Sequence, residues 1–281
     1  MLNFTPNFLI VHLLLSLVVS CTHKEFYQAS KKGPVTVISK GEKSCLSKGF
    51  RWYWSKSSGC SLKKFKQYCI EEKKLPKSTK LTITVIKNET GKQNCSEAEA
   101  ELKAQTGLHL DGLGIVDIYP LMGLTHLTIL RLDGNKIYDL YPLSKLVKLR
   151  VLRLDQNNIT KIQHLSKLRE LVVLRLDKNN ISDLSPLANL VNIAQINLST
   201  NKIISIEPLE KLSRLMKVGL KGNKVKTLLP LSNLEFLEFI NLEDNPISRK
   251  NFPLNDLNCP ITFGVNSVVK NFCESRRKQK T

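Results

Sequence analysis

Arg131, Arg153 and Arg175 stand 22 residues apart, and two positions after each comes a carboxylate, Asp133, Asp155 and Asp177. Two positions before each stands an aliphatic residue, Ile129, Val151 and Val173. Guanidinium, carboxylate and apolar surface in fixed proportion suit recognition or internal ion pairing, not bond making. If the three sets stack at the strand spacing of about 4.8 Å, each column repels itself, and a neighbouring column of opposite sign lets each Arg meet an Asp diagonally. Two readings stand. One is a self-compensating exposed charge ladder, each pair contributing about 0–1 kcal/mol. The other is a partner-binding stripe, since Arg beside apolar area suits the centre of an interface. Recent duplication would produce the same columns without selection for binding.

Groups with other chemistry are sparse. His12, His23, His109, His126 and His164 form no H-E-x-x-H or H-x-x-E-H pattern. There is no glycine-rich phosphate loop, no G-x-S-x-G and no C-x-x-C pair for zinc. The expectation is a protein with no catalytic residue, no metal and no cofactor.

The element that must position the columns is a repeat. From Met122 to Asn245 the chain repeats every 22 residues without insertion, beginning MGLTHLTILRLDGNKIYDLYPL and SKLVKLRVLRLDQNNITKIQHL. A fixed period in this range marks a solenoid whose units bury their apolar faces only against their neighbours. In the first unit Leu124, Leu127, Leu130, Leu132, Ile137, Leu140 and Leu143 are the apolar positions. Leu130 and Leu132 alternate as in a short strand with one buried face. An asparagine recurs at Asn135, Asn157, Asn179, Asn201, Asn223 and Asn245. A polar residue repeated in an apolar context must be satisfied internally, so the ladder is structural, its amides bonding neighbouring backbone turns. Pro120, Pro142, Pro186, Pro208 and Pro230 favour tight turns or 3-10 segments on the opposite side. His164 takes that place in one unit and reads as tolerated variation.

The consensus LxxLxxLxLxxNxIxxLxPL is that of leucine-rich repeats. Its DLYPL and DLSPL endings and strict length resemble the internalin-like bacterial surface proteins, over Cys95 to about Cys273. The resemblance implies an α/β solenoid, a leucine-rich repeat horseshoe of short parallel strands, whose concave face displays the residues flanking the strand leucines. It implies a binding protein rather than an enzyme.

Residues 1–20 read as a signal peptide: Phe8–Ser20 is apolar but too short to span a bilayer, although the n-region lacks Lys and Arg. Val18-Val19-Ser20-Cys21 resembles the bacterial lipobox, in which Cys21 receives the lipid. With Cys21 acylated, six of the seven cysteines remain, an even set for an oxidising compartment. The expectation is an exported protein of the bacterial envelope, an outer-membrane lipoprotein held by Cys21, residues 21–33 forming a tether; the alternative is secretion after ordinary cleavage. Thr22 in place of Asp supports the outer membrane.

Residues 34–94 are expected to form a small basic, β-rich, disulfide-stapled domain. PVTVIS, GFRWYW and LTITVI have strand composition, and so short a segment needs covalent support. Its four cysteines allow three connectivities; the preferred one pairs Cys45 with Cys60 and Cys69 with Cys95. Residues 95–121 are expected to hold a helical N-terminal cap, opened by a capping box at Ser96–Glu99 and closed by Gly107, followed by a degenerate first repeat. Residues 122–247 hold the repeats. In 248–281 a C-terminal cap pinned by Cys259 and Cys273 precedes a basic tail.

The net charge of +19 is uneven: residues 22–94 hold 17 Lys and Arg against 5 Glu. The repeat body is almost neutral. Capture of a protein, or a glycan, on the concave face through Ile129, Arg131, Asp133, Val151, Arg153, Asp155, Val173, Arg175 and Asp177 is therefore the leading reading. The alternative places binding of an anionic envelope polymer or nucleic acid in the basic N-terminal domain. There Trp52, Tyr53, Trp54 and Phe65 interleave with Lys56, Lys63, Lys64 and Lys66. A small domain with an aromatic core and solvated lysines accounts for the same residues, and nucleic acid is not the expected partner.

Overall fold

The leucines, stacked once per repeat, build the core. The computed structural model describes residues 64–247 and, before them, the strands β1 (Tyr27–Gln28), β2 (Thr36–Val37), β3 (Cys45–Ser47), β4 (Phe50–Ser55) and β5 (Gly59–Leu62). The chain divides into two compact units, residues 1–63 and 64–281. In the first, β1 pairs with β2, and β3, β4 and β5 form an antiparallel sheet with Cys45 opposite Trp52 and Trp54 opposite Cys60. Cys21, the Cys45–Cys60 pairing and the C-terminal cap with Cys259 and Cys273 lie outside the described residues.

The second unit begins with three helices, α1 (Phe65–Ile70), α2 (Lys77–Thr90) and α3 (Cys95–Ala104). Here the sequence expectation needs correction. LTITVI is not a strand but the centre of α2. Thr79, Thr82, Ile83, Ile86 and Thr90 are all buried, and their three- and four-residue spacing puts them on one helical face. Packing of that face overrides the strand propensity of its β-branched residues, and Gly91, at φ +65°, ends the helix.

Residues 64–94 therefore belong with the repeats, not with a domain ending at residue 94. Phe65, Tyr68, Ile83, Ile86, Ala98 and Leu102 are continuous with the leucine core. The Thr82 hydroxyl donates to the Asp117 carbonyl at 2.6 Å, and the Thr79 hydroxyl donates to the Asp117 carboxylate. The disulfide Cys69–Cys95 ties α1 to α3, with Cα atoms 5.7 Å apart.

The cap of α3 also differs from expectation. Asn94, not Ser96, is the N-cap, its carboxamide oxygen accepting from the Ser96 and Glu97 amides at 2.8 and 3.3 Å. With Cys95 already inside the first turn, Glu99 is free for another task. It accepts from the Lys66 amide at 2.8 Å and meets Lys103 at 2.7 Å. Burial raises its carboxyl, yet those hydrogen bonds hold it below the usual carboxylate range. Gly107 does not close the helix; it opens the first strand.

Seven parallel strands follow, in sequence order and without crossover: β6 (Gly107–His109), β7 (Ile129–Arg131), β8 (Val151–Arg153), β9 (Val173–Arg175), β10 (Gln195–Asn197), β11 (Lys217–Gly219) and β12 (Phe239–Asn241). Every pairing joins residues 22 apart, such as Leu130 with Leu152 and Leu152 with Leu174. The sheet is open. The central residue of each strand is buried and its two neighbours face solvent.

The asparagine ladder holds the turns. Asn157 Nδ2 donates to the carbonyls of Leu132 and Leu154, and its Oδ1 accepts from the Ile137 amide at 2.9 Å. The same bonds recur at Asn135, Asn179, Asn201, Asn223 and Asn245. Opposite the sheet, 3-10 turns such as Tyr141–Lys145 and Ser185–Leu187 carry proline in their first positions. The turn Gln163–Leu165 keeps this form with His164, whose ring sits edge-on to Tyr141 at 5.1 Å.

Candidate functional site

A three-residue strand offers two outward positions, so stacking seven of them sets side chains in columns. Ile129, Val151, Val173, Gln195, Lys217 and Phe239 form one column, and His109, Arg131, Arg153, Arg175, Asn197, Gly219 and Asn241 the next. A third, just past the strands, runs Asp111, Asp133, Asp155, Asp177, Ser199, Lys221, Glu243. Over the first four repeats the second and third columns lock together. Arg131 meets Asp111 at 3.0 Å, Arg153 meets Asp133 at 2.7 Å and Arg175 meets Asp155 at 2.7 Å, each reaching back one repeat. In the latter two the Nε hydrogen does not point at the oxygen, so these are close contacts of guanidinium with carboxyl rather than hydrogen bonds.

The other oxygen of each carboxylate works along the same column. Asp111, Asp133 and Asp155 accept the backbone amides of Asp133, Asp155 and Asp177 at 3.0, 3.1 and 3.0 Å. The diagonal pairing read from the sequence is thus present, and each Asp also serves the backbone. Asp155 is only 2% exposed, so it is no contact residue for a partner, contrary to its place in the expected stripe. Burial pushes its carboxyl up, to about 8, helped by the hydrogen bond and charge of Asp177 and opposed by Arg175. Ile129 is 36% exposed, while Val151 and Val173 are half-buried and the three arginines are committed to their aspartates.

The lock ends at β10. Asn197 stands where an arginine would, donating to Asp177 Oδ1 at 2.7 Å and accepting from the Ser199 hydroxyl at 2.8 Å. One repeat on stands Gly219. A Cβ there would collide with Asn197 Oδ1 and touch Ser199 Oγ at 3.0 Å. The glycine is therefore required by the lean of Asn197, and the missing side chain opens the sheet face.

What opens is a depression of about 310 Å³ lined by Val173, Arg175, Gln195, Asn197, Lys217, Gly219, Phe239 and Asn241. Lys217 and Gln195 are exposed, and among the described residues Lys217 is in no salt bridge. Lys221, beside the depression, is held by Glu243 at 2.7 Å. Of the stretch singled out in the sequence only Val173 and Arg175 reach this place. The remaining lining residues lie beyond Asp177, where the columns lose their Arg/Asp character. The signal that could have marked them was a lone glycine inside a strand. Among the described residues no group of His, Cys, Asp and Glu is arranged to hold a metal ion.

Comparison with known proteins fits this architecture. Residues 125–167 match the family model described as Leucine Rich repeats (2 copies). Internalin C2 of Listeria monocytogenes is 30% identical with a TM-score of 0.51, the match covering 65% of this chain and 91% of that one. The Listeria monocytogenes internalin inlF is 27% identical with a TM-score of 0.39, covering 68% and 78%. A leucine-rich repeat protein of Leptospira interrogans is 20% identical with a TM-score of 0.44, covering 55% and 47%. No curated protein matches the chain in sequence. The chain belongs to the internalin-like leucine-rich repeat proteins. Proteins of this kind generally mediate protein–protein interaction and are typically not enzymes.

Proposed function

We propose that the protein is an exported, envelope-anchored binding protein that captures a protein partner on the outward face of its sheet, centred on the depression beside Gly219. The observation that carries this reading is the break in the Arg/Asp ladder. Up to β9 each ladder arginine already has an aspartate beside it, which leaves little free charge to offer a partner. From β10 the face presents an uncommitted cation, Lys217, amides at Gln195 and Asn241, and apolar flanks at Val173 and Phe239 around a hollow. A hollow of that size admits one large side chain, and an aromatic or aliphatic anchor in a pocket with a polar rim is the usual centre of an interface.

A photo-crosslinking residue at Gln195 tests the placement. Adducts with one defined partner should form there and fall away when Phe239→Ala and Lys217→Glu are introduced. The same probe at Ser182, exposed on the opposite side of the repeats, should give none; equal adducts at both positions would overturn the reading.

The envelope anchor rests on the lipobox-like residues before Cys21 and on the even set of cysteines beyond it. Mass spectrometry of the mature N-terminus should find an acylated Cys21; an unmodified N-terminus would favour the secreted alternative. The rival function, an anionic polymer held by the N-terminal basic segment, loses one of its aromatic platforms. Phe65 is fully buried in α1, within the core of the repeats.

A further inference from the structure

Away from the sheet face, the turns that lead into β8 and β9 concentrate unpaired positive charge. Lys145, Lys148 and Arg150 precede β8, and Lys167 and Arg169 precede β9 one repeat later. All five are exposed, and none is in a salt bridge among the described residues. The ladder arginines on the neighbouring strands are all paired, so the difference is local. It is also not a property of the repeat, whose template asks only for buried leucines here. The corresponding turn before β10 carries no charged residue, the one before β11 carries Glu210, Lys211 and Arg214, with Arg214 donating to Asn192 at 3.0 Å, and the one before β12 carries Glu235 and Glu238. Like charges one repeat apart, about 5 Å, repel one another, and nothing in the fold calls for them.

Val147, Lys148, Arg150, Lys167, Arg169 and Glu170 line a groove of about 450 Å³. Val147 is 46% exposed there, an apolar side chain between cations. We infer that this groove is a second docking surface, which takes an acidic peptide segment whose carboxylates flank an apolar side chain. The two arginines present planar forks suited to carboxylates, and Val147 offers the contact an apolar side chain needs. Two features tell against a densely anionic polymer. No lining residue is aromatic, so nothing stacks bases as single-stranded nucleic acid requires. Glu170 places a carboxylate inside the groove, which repels a chain charged at every unit but not a peptide with a neutral residue at that point.

The probe is a short labelled peptide of glutamates around a central leucine, titrated against the mature full chain by fluorescence anisotropy. Binding should weaken steeply with salt, and Lys148→Glu with Arg169→Glu should weaken it by about a hundredfold. Replacing the peptide's leucine with glycine, or Val147 with Ser, should each cost about tenfold. Lys202→Glu with Lys224→Glu, which alters net charge equally elsewhere, should change nothing. Circular dichroism establishes that each variant is folded, as expected for exposed side chains. Tighter binding of heparin or an oligothymidylate than of the peptide would overturn the inference. So would peptide binding indifferent to the Lys148/Arg169 change, or to the central leucine.

Discussion

The sheet face has two halves built on one backbone. From β7 to β9 the second and third columns are Arg and Asp, with Asp133 and Asp155 each meeting both an arginine and a backbone amide. From β10 to β12 the same positions hold Asn, Gly and Asn beside Ser, Lys and Glu, and the face is hollow. The cores beneath are alike: Leu152, Leu174, Val218 and the ladder asparagines Asn157 and Asn201 are all buried. What separates a closed surface from an open one is therefore side-chain chemistry alone. In a repeat protein the buried period specifies the fold, and the places where the exposed period fails are where recognition can be built.

The largest expected effect is one that ignores the two halves. Asn157→Ala leaves the buried Ile137 amide without its acceptor and takes one donor from each of three carbonyls, Leu132, Leu154 and Asp155, and should cost about 3 kcal/mol, read as a fall in the urea midpoint. Asn201→Ala, in the open half, should cost the same within error. A clear difference would mean that the halves are not equivalent in their interior, and the comparison would fail at its base.

Gly219→Ala sharpens the contrast. The new methyl displaces Asn197 from Asp177 and Ser199, at a cost of about 2 kcal/mol. In an Asn197→Ala background the same change should cost far less, because the colliding atom is gone. Additive costs in the double-mutant cycle would show that Gly219 answers to something other than Asn197. Gln195 crosslinks should also decline in Gly219→Ala, since the hollow is partly filled.

How far these features could be read in advance follows from the same distinction. The strands of the repeats and the asparagine ladder were legible, because each repeated position votes again in every unit; the Cys69–Cys95 bridge, outside the repeats, was the preferred of three connectivities that the sequence left open. LTITVI was not, since propensity favours a strand and only the packed face of Thr79, Ile83, Ile86 and Thr90 turns it into helix. The closed state of the Arg/Asp columns was open from sequence because two outcomes used the same residues. The hollow depends on the direction in which Asn197 leans, which no column of letters encodes. The basic groove was hidden by summation: a nearly neutral repeat body conceals five cations on two adjacent turns.

The closed half has its own signature in pH. Asp155 has its carboxyl raised in the folded protein, to about 8, above the ordinary aspartate value expected when unfolded. The folded state thus holds the extra proton between those values. Its stabilising contribution is complete below about pH 4 and is lost as pH rises through the folded value. Asp155→Asn keeps an oxygen for the Asp177 amide and removes the proton, so urea midpoints measured from pH 5 to 9 should flatten. At pH 8 the variant should be the more stable by about 1 kcal/mol, allowing for the competing loss of the Arg175 pair. A profile as steep as that of the wild type would show that Asp155 is ionised throughout and that Arg175 alone governs it.

The smallest effect lies at the turn after each strand, where one residue per repeat takes a left-handed backbone. Gly112, Gly134 and Gly222 do so at φ 66 to 71°, but Gln156, Lys178, Thr200 and Asp244 do so at 53 to 58°. The conformation belongs to the repeat and not to the side chain, so non-glycine residues carry strain that the ladder beside them overcomes. Thr200 is the most strained in kind, being β-branched, and it sits at the junction of the two halves. Thr200→Gly should therefore stabilise the protein by about 0.5 kcal/mol, the relief of strain exceeding the entropy that glycine gives to the unfolded chain. Gln156→Gly, unbranched and inside the closed half, should gain less. If Thr200→Gly instead destabilises, then Thr200 contributes a contact at the junction worth more than its strain, and the boundary between the halves is itself reinforced.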